Sequence, residues 1–251
     1  MSKDFKKNTR EFGAIMVNRL DQLKQRVFQL KVAIDQDFPD WPARRSEFPD
    51  DFLRHEARRE FFVTTVILLE NAQLSYMLLR DHLTDDAWWD KRLSDVSEDK
   101  RKSVLYEYAV MVKWFLLHGV LMAVEETLRA IQRAAPNVFF VTGRFRSVVK
   151  VTAAILNETG LQAYEELFRL TRLTRNTIHT NGVFLPEDQK DQEVQYGGET
   201  FSFEYGKVIE WLNDQRAVWL VEQLAEAVHE IVRSAQVSGL AYCPRTEVEG
   251  G

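Results

Sequence analysis

A cluster of charged and polar side chains lies in the second half of the chain, within the segment RLTRNTIHTNGVFLP. It contains Arg172, Arg175, Asn176 and His179. A guanidinium binds phosphate through a planar fork of donors and stays charged at any working pH, and histidine exchanges a proton near neutral pH. Together they could cleave RNA without a metal. Histidine would assist the 2′-hydroxyl, arginine would stabilise the charge on phosphorus, and a 2′,3′-cyclic phosphate would result.

The spacing of these residues places them on one side of a helix. At about 100° per residue, Arg172, Arg175 and His179 fall within a sector of about 60° that also carries apolar residues. Arg169 and Asn176 flank this sector. Charged residues normally lie opposite the apolar side of a helix, whereas here they extend it. We therefore expect this helix to be packed on more than one side.

The same residues also have a structural interpretation. His179 lies in the last helical turn, where the helix dipole favours a cation, and Asn181 with Gly182 is an ordinary helix end. The arginines could pair with Glu165, Glu166 or acidic residues on other helices. The cluster would then be a buried polar network that holds a neighbouring hairpin to the rest of the protein.

The segment resembles the signature of the HEPN superfamily, all-α bundles whose active members are metal-independent ribonucleases. The family motif is an arginine, often followed by a polar residue, then four to six residues and a histidine. Arg172 and His179 have six residues between them and fit that spacing. Arg175 and Asn176 fit the arginine-plus-polar pair, with three residues before His179. Both arginines therefore stay candidates for the motif arginine.

The resemblance implies a function and partners. His179 would handle the proton, Arg172 and Arg175 would bind phosphate, and Asn176 would orient them. The protein would cut RNA during phage infection or as a toxin, as a homodimer or larger assembly with a composite site. An antitoxin or defence-system partner would hold it in check. The alternative is a non-catalytic helical scaffold or regulatory subunit of a defence complex, in which the cluster is structural.

Further cations near the motif could contact the RNA backbone. Arg169 lies on the motif helix, and Arg144, Arg146 and Lys150 lie in the preceding segment GRFRSVVK. These four residues are the candidate RNA-binding positions outside the motif. Equally, several cations on one helix face are usually just solvated.

Other residues that could do chemistry are given structural roles. Glu226 and His229 have the Glu-x-x-His spacing of di-iron helices, but no second such pair occurs, so neither a metal nor a cofactor is expected. His118, within the apolar run WFLLHGVLMAV, is predicted to be a hydrogen-bonded core residue. Trp88 and Trp89 are predicted to anchor a loop on the bundle, with base stacking as the alternative.

Composition points to a soluble globular protein. The chain has 251 residues, 45% hydrophobic and 28% charged, with a net charge of -5. This balance argues against broad, charge-driven binding to duplex nucleic acid. The single cysteine excludes an intrachain disulfide, and the charged start has no apolar signal-peptide core. The apolar runs are shorter than the roughly 20 residues of a membrane span, so we expect a cytoplasmic protein without a membrane partner.

Apolar periodicity predicts an all-α bundle of about six helices with a short β-hairpin before the last helix. We assign one domain over residues 1–251: a long-helix bundle (5–135), then the motif helix, hairpin and terminal helix (142–238), and a loose tail (239–251). The hairpin is predicted from VQYGGETFSFEY, which alternates around a Gly-Gly pair. The predicted helices cover residues 5–36, 52–83, 97–134, 144–156, 161–180 and 206–238.

Overall fold

Helices dominate the computed structural model, which describes residues 1–38, 56–93, 95–141 and 147–244. The predicted fold class is confirmed: this is an all-α bundle with one short antiparallel hairpin. The α-helices are α1 (Lys3–Asp37), α2 (Ala57–Leu78), α3 (Asp86–Arg92), α4 (Glu98–Ala134), α5 (Val148–Thr159), α6 (Glu165–Ile178), α7 (Asp214–Arg233) and α8 (Ala235–Ser238). The strands are β1 (Gln192–Tyr196) and β2 (Glu199–Phe203).

The long helices α1, α2 and α4 build the bundle from apolar stripes. Side-chain caps fix the starts of two of them, because Ser2 accepts a hydrogen bond from the Phe5 amide and Ser97 accepts one from the Lys100 amide. One side of α1 is buried against α2 and α7. The buried residues of that side recur every three or four positions: Met16, Leu20, Leu23, Val27, Leu30 and Ile34.

Helices α2 and α4 run antiparallel and pack closely. A Cβ added to Gly119 would lie 2.7 Å from the Leu68 side chain, so glycine permits the approach. Eleven positions before Leu68, the Ala57 carbonyl accepts a hydrogen bond of 3.3 Å from Thr127 Oγ1.

By length and composition, the stretches Ala57–Leu83 and Glu98–Ala134 are apolar enough to cross a membrane. Both also supply buried core residues.

The hairpin is confirmed where the Gly-Gly pair predicted it. Gly197 and Gly198 both have positive φ angles, 61° and 79°, which a two-residue hairpin turn of this kind requires. Phe201 and Phe203 are buried. Their rings pack on Trp211, with centroid separations of 4.9 and 5.6 Å, so the hairpin covers the segment that precedes α7.

The terminal helix starts later than predicted. The sequence predicted its start near Gly206, but α7 begins at Asp214, where the Asn213 side chain accepts from the Arg216 amide at 2.9 Å. Gly206 has a φ angle of 74°, which interrupts a right-handed helix. Val208 instead forms an isolated antiparallel bridge with Val183.

The end of α5 also differs from the prediction. Helix α5 continues past residue 156 to Thr159, and Gly160 ends it with a left-handed φ angle of 72°. The predicted start of this helix at residue 144 lies outside the described residues.

The Trp pair agrees with the anchoring interpretation, since Trp89 is buried and its Nε1 donates to the Leu83 carbonyl at 2.7 Å.

A buried ion pair fastens the segment that follows α8. Arg58 contacts both carboxylate oxygens of Glu56 at 2.7 and 2.9 Å, and donates to the carbonyls of Val237 and Leu240. Cys243 is buried beside this pair, and burial raises the pKa of its thiol to about 12. Residues 239–244, assigned to the loose tail in the sequence analysis, are thus held in place, whereas residues 245–251 lie outside the described ranges.

Candidate functional site

Helix α6 presents the motif because its opposite side is buried. Six of its residues face the core: Leu167, Leu170, Thr171, Leu173, Thr174 and Thr177. The buried threonines at 171 and 174 donate to the carbonyls four residues earlier, at 2.7 and 2.9 Å, so their hydroxyls are satisfied within the helix. The motif side chains therefore lie on the remaining side of α6.

The end of α6 fixes the position of His179. The Gly182 amide donates to the Thr177 carbonyl at 2.7 Å, and Asn181 and Gly182 have positive φ angles of 53° and 85°. This left-handed closure agrees with the helix end predicted from Asn-Gly. His179, the first residue after the helix, is exposed.

Arg172, Arg175 and Asn176 line one groove between α4, α5 and α6. The groove has a volume of about 410 Å³, and Arg169 also lines it. Both motif arginines are half-buried, whereas Asn176 is exposed. The apolar wall consists mainly of Leu121, Val124, Leu128, Val148, Val149, Leu156 and Phe168. The groove therefore combines apolar walls with three arginines and two glutamates, Glu125 and Glu165.

One motif arginine is paired with an acid on another helix. Arg175 Nη1 forms a close ion pair with Glu125 Oε2 of α4. The other Glu125 oxygen accepts from Arg129 Nη2 at 2.8 Å. Arg175 Nη2 also lies 3.7 Å from the sulfur of Met122. The glutamate is only 16% exposed and the arginine 29%, so this pair is partly shielded from solvent.

Arg172 is not paired in this way. It forms no hydrogen bond or ion pair with any residue that the structure describes. Arg169, by comparison, is 3.3 Å from Glu166 on its own helix. A half-buried guanidinium that lacks an acceptor loses solvation without compensation. Arg172 is therefore the cation of the groove that is most available to an anionic ligand.

His179 contacts a second histidine that the sequence analysis placed in the core. Its ring is edge-to-face with the ring of His118 on α4, with centroids 5.7 Å apart and planes at 86°. The predicted hydrogen bonding of His118 is wrong within the described ranges: its Nδ1 is buried and has no partner there. His118 is half-buried rather than a core residue because its helix face borders the exposed end of α6.

The other candidate residues lie apart from this cluster. Lys150 is exposed and is not among the residues that line the groove, although α5 forms one wall. Arg144 and Arg146 lie outside the described residues. Glu226 pairs with Arg26 at 3.1 Å. In the described ranges no group of three or more His, Cys, Asp or Glu side chains is placed to hold a metal ion.

Sequence reasoning missed the partners that α4 supplies. His118, Met122 and Glu125 recur at intervals of four and three residues, so they share one side of that helix. The available signal was the pair of polar residues His118 and Glu125, two helical turns apart on that side of α4. Nothing in the sequence relates this side of α4 to Arg175 and His179, which lie at least 50 positions away along the chain.

The arrangement can bind an anion and exchange a proton within a short stretch of surface. The groove supplies guanidinium groups for a phosphate and apolar walls for a base or sugar. His179, at the end of α6, and its ring neighbour His118 on α4 are not among the residues that line the groove. Comparisons of the chain with protein-family models, curated proteins and solved structures found no match. The function therefore has to follow from the chemistry of this site.

Proposed function

We propose that the protein is a HEPN-like, metal-independent endoribonuclease of the cytoplasm, which acts in phage defence or as a toxin. RNA would bind with a phosphate at Arg172 and Arg175. His179 would take the proton of the 2′-hydroxyl, and cleavage would leave a 2′,3′-cyclic phosphate. A partner protein would restrain this activity.

The observation that carries the proposal is the position of Arg172. Structural arginines are normally satisfied by carboxylates or carbonyls when they are partly buried. Arg172 lacks such a partner in the described part of the chain, and it faces a groove beside Arg175 and Asn176. A bound phosphate would supply the missing acceptor oxygens.

A scaffold without catalysis is the second candidate, and a different observation favours it. Arg175, Glu125 and Arg129 form a continuous set of ion pairs that joins α6 to α4. Such a network can serve stability alone. In that case the loss of an arginine or histidine would lower the melting temperature without removing any activity.

The deciding experiment is RNA cleavage in EDTA. Total RNA and tRNA are incubated with the parent protein, with His179→Ala and with Arg175→Ala, and the product ends are tested for a 2′,3′-cyclic phosphate. The matched control is His82→Ala, which removes an exposed histidine far along the chain. We expect cleavage by the parent and the control only, with unchanged melting temperature for His179→Ala. An inactive parent, with variants that melt lower, would support the scaffold.

The proposal includes a homodimer, for which the exposed apolar residues of α2 and α4 are suited. Six large apolar side chains there are between 43% and 57% exposed: Ile67, Leu74, Leu78, Met111, Phe115 and Met122. In both helices they lie on the same side of the Leu68–Gly119 contact. Because the helices are antiparallel, both stripes then fall on one surface, which we call the apolar face.

The apolar face borders the candidate site, which is why we assign it to a second copy of the chain. Met122 belongs to the face and contacts Arg175, and His118 lies between Phe115 and Met122 on α4. Methionine and aromatic residues are enriched in protein interfaces. Pairing through this face would bring two motif clusters together, as the resemblance implies.

Sedimentation velocity tests the dimer. Phe115→Glu places a charge within the apolar face and is expected to give a monomer that cleaves RNA poorly. Tyr106→Glu is the control, because Tyr106 is 73% exposed on another side of the same helix. A monomeric parent that cleaves RNA would contradict the dimer. Binding of the parent to lipid vesicles through Phe115 would assign the face to a membrane instead.

A further inference from the structure

A strand cleavage of the proposed kind moves two protons. One leaves the 2′-hydroxyl as its oxygen bonds to phosphorus, and one must reach the 5′-oxygen as its bond to phosphorus breaks. Arginine cannot supply the second proton, because its guanidinium does not deprotonate at working pH. With His179 as the acceptor of the first proton, the site needs another group that can donate.

His118 is placed to be that group. Its ring contacts the ring of His179 edge-to-face at a centroid separation of 5.7 Å. Its Nδ1 is buried without a partner in the described part of the chain, whereas Nε2 is not enclosed in this way. Nε2 is therefore the nitrogen through which His118 can exchange a proton with a ligand. Met122, which contacts Arg175, lies one helical turn after His118 on α4, and His179 lies one turn after Arg175 at the end of α6.

We propose that His118 is a second proton-transfer residue of the same site, which protonates the 5′-oxygen leaving group. The 2′-oxygen bonds to phosphorus and its proton passes to His179. The bond from phosphorus to the 5′-oxygen breaks, and the proton held by His118 passes to that oxygen. No oxidant, metal or cofactor takes part, and the histidines recover their starting states by proton exchange with water. This assignment rests on the proposed ribonuclease function.

A sulfur substitution in the substrate isolates this role. We would use an RNA that contains the cleavage site mapped with the parent protein, with either oxygen or sulfur at the 5′-bridging position. A thiolate leaves without protonation, because thiols are far stronger acids than alcohols. His118→Asn should therefore slow cleavage of the oxygen substrate by about 10²–10⁴-fold, the usual contribution of general acid–base catalysis, and should cleave the sulfur substrate within about tenfold of the parent.

Two controls make the result specific. His179→Asn should slow both substrates, because the 2′-hydroxyl must lose its proton in each. For each variant, the cleavage rates of the sulfur and oxygen substrates are measured with the same preparation, and their ratio is compared. If part of the His118→Asn protein were unfolded, both rates would fall and their ratio would not change. His118→Gln is the second variant if His118→Asn is unstable.

The possible failures are distinguishable. A parent that cleaves neither substrate would overturn the proposed function, and this assignment with it. A parent that cleaves RNA, combined with a His118→Asn ratio equal to that of the parent, would overturn only the role of His118. A sulfur-to-oxygen rate ratio above that of the parent in His118→Asn, but not in His179→Asn, supports the role of His118 as the proton donor.

Discussion

Arg58 and Arg172 both lie partly or wholly within the helical protein, but their donors meet different surroundings. Arg58 is fully buried, with two contacts to Glu56 and two to main-chain carbonyls near the end of α8. Arg172 is half-buried at a groove and has no such contact with the described residues. The protein itself supplies hydrogen-bond acceptors for the Arg58 guanidinium. The Arg172 guanidinium has no acceptor in the described chain and is available to a ligand.

The comparison separates two uses of the same residue type. A saturated buried pair costs much desolvation, and removal of one partner leaves an uncompensated charge. A guanidinium without such partners at a surface groove contributes little to the stability of the fold, because its removal breaks no hydrogen bond or ion pair within the described chain. Arg175 lies between these extremes, since its Nη1 is paired with Glu125 and its Nη2 lies beside the sulfur of Met122.

The largest effect is expected at Arg58. Arg58→Met should lower the free energy of unfolding by about 3–5 kcal/mol, because Glu56 is left buried without its partner. Urea unfolding of the purified variant measures this. The double variant Glu56→Gln with Arg58→Met should recover part of the loss. A loss of unfolding free energy below about 1 kcal/mol would mean that a full set of hydrogen-bond partners does not identify a structural arginine. The contrast between Arg58 and Arg172 would then fail.

The fold could largely be predicted from the sequence, because local rules govern it. The buried stripe of α1 and the Gly-Gly turn at 197–198 follow from period and turn chemistry. The start of α7 was missed because the apolar residues Val208, Ile209 and Leu212 also have helical spacing. The left-handed Gly206 and the Asn213 cap outweigh that pattern.

The candidate site was predictable only in part. The shared face of Arg172 and Arg175 follows from helical spacing, and both line one groove. Glu125 and His118 could not be assigned to them, because long-range contacts between α4 and α6 depend on how the helices pack. Local sequence does not encode that choice, so the pairing of Arg175 and the isolation of Arg172 became visible only in the structure.

Arg172 offers the converse of the Arg58 experiment. Arg172→Ala should leave the free energy of unfolding within about 0.5 kcal/mol of the parent. RNA binding should weaken by roughly tenfold to hundredfold, because a charge-assisted hydrogen bond is worth about 1.5–3 kcal/mol. The logarithm of affinity should also depend less steeply on the logarithm of salt, by about 0.7 per lost phosphate contact on a single strand.

Controls for Arg172 separate charge from geometry. Arg172→Lys keeps the charge but loses the planar fork, so its affinity should fall between those of the parent and Arg172→Ala. Arg19→Ala removes an exposed arginine of α1 and should change nothing. If Arg172→Ala binds RNA as tightly as Arg19→Ala does, the groove is not the phosphate site.

The smallest effect is expected at Glu125. Its substitution tests whether Arg175, its ion-pair partner, is also available to bind phosphate. Glu125→Gln keeps the side-chain shape but removes the negative charge that Arg175 and Arg129 share. Stability should fall by no more than about 1 kcal/mol, because the pair is partly exposed. RNA affinity should rise a few-fold at low salt, since Arg175 no longer has to leave a carboxylate to meet a phosphate. Filter binding of a labelled single strand measures this, and weaker binding would mean that Glu125 holds Arg175 in its binding position. In that event Arg175 contacts RNA while it is still paired with Glu125, and Arg172 remains the cation of the groove that has no partner in the described chain.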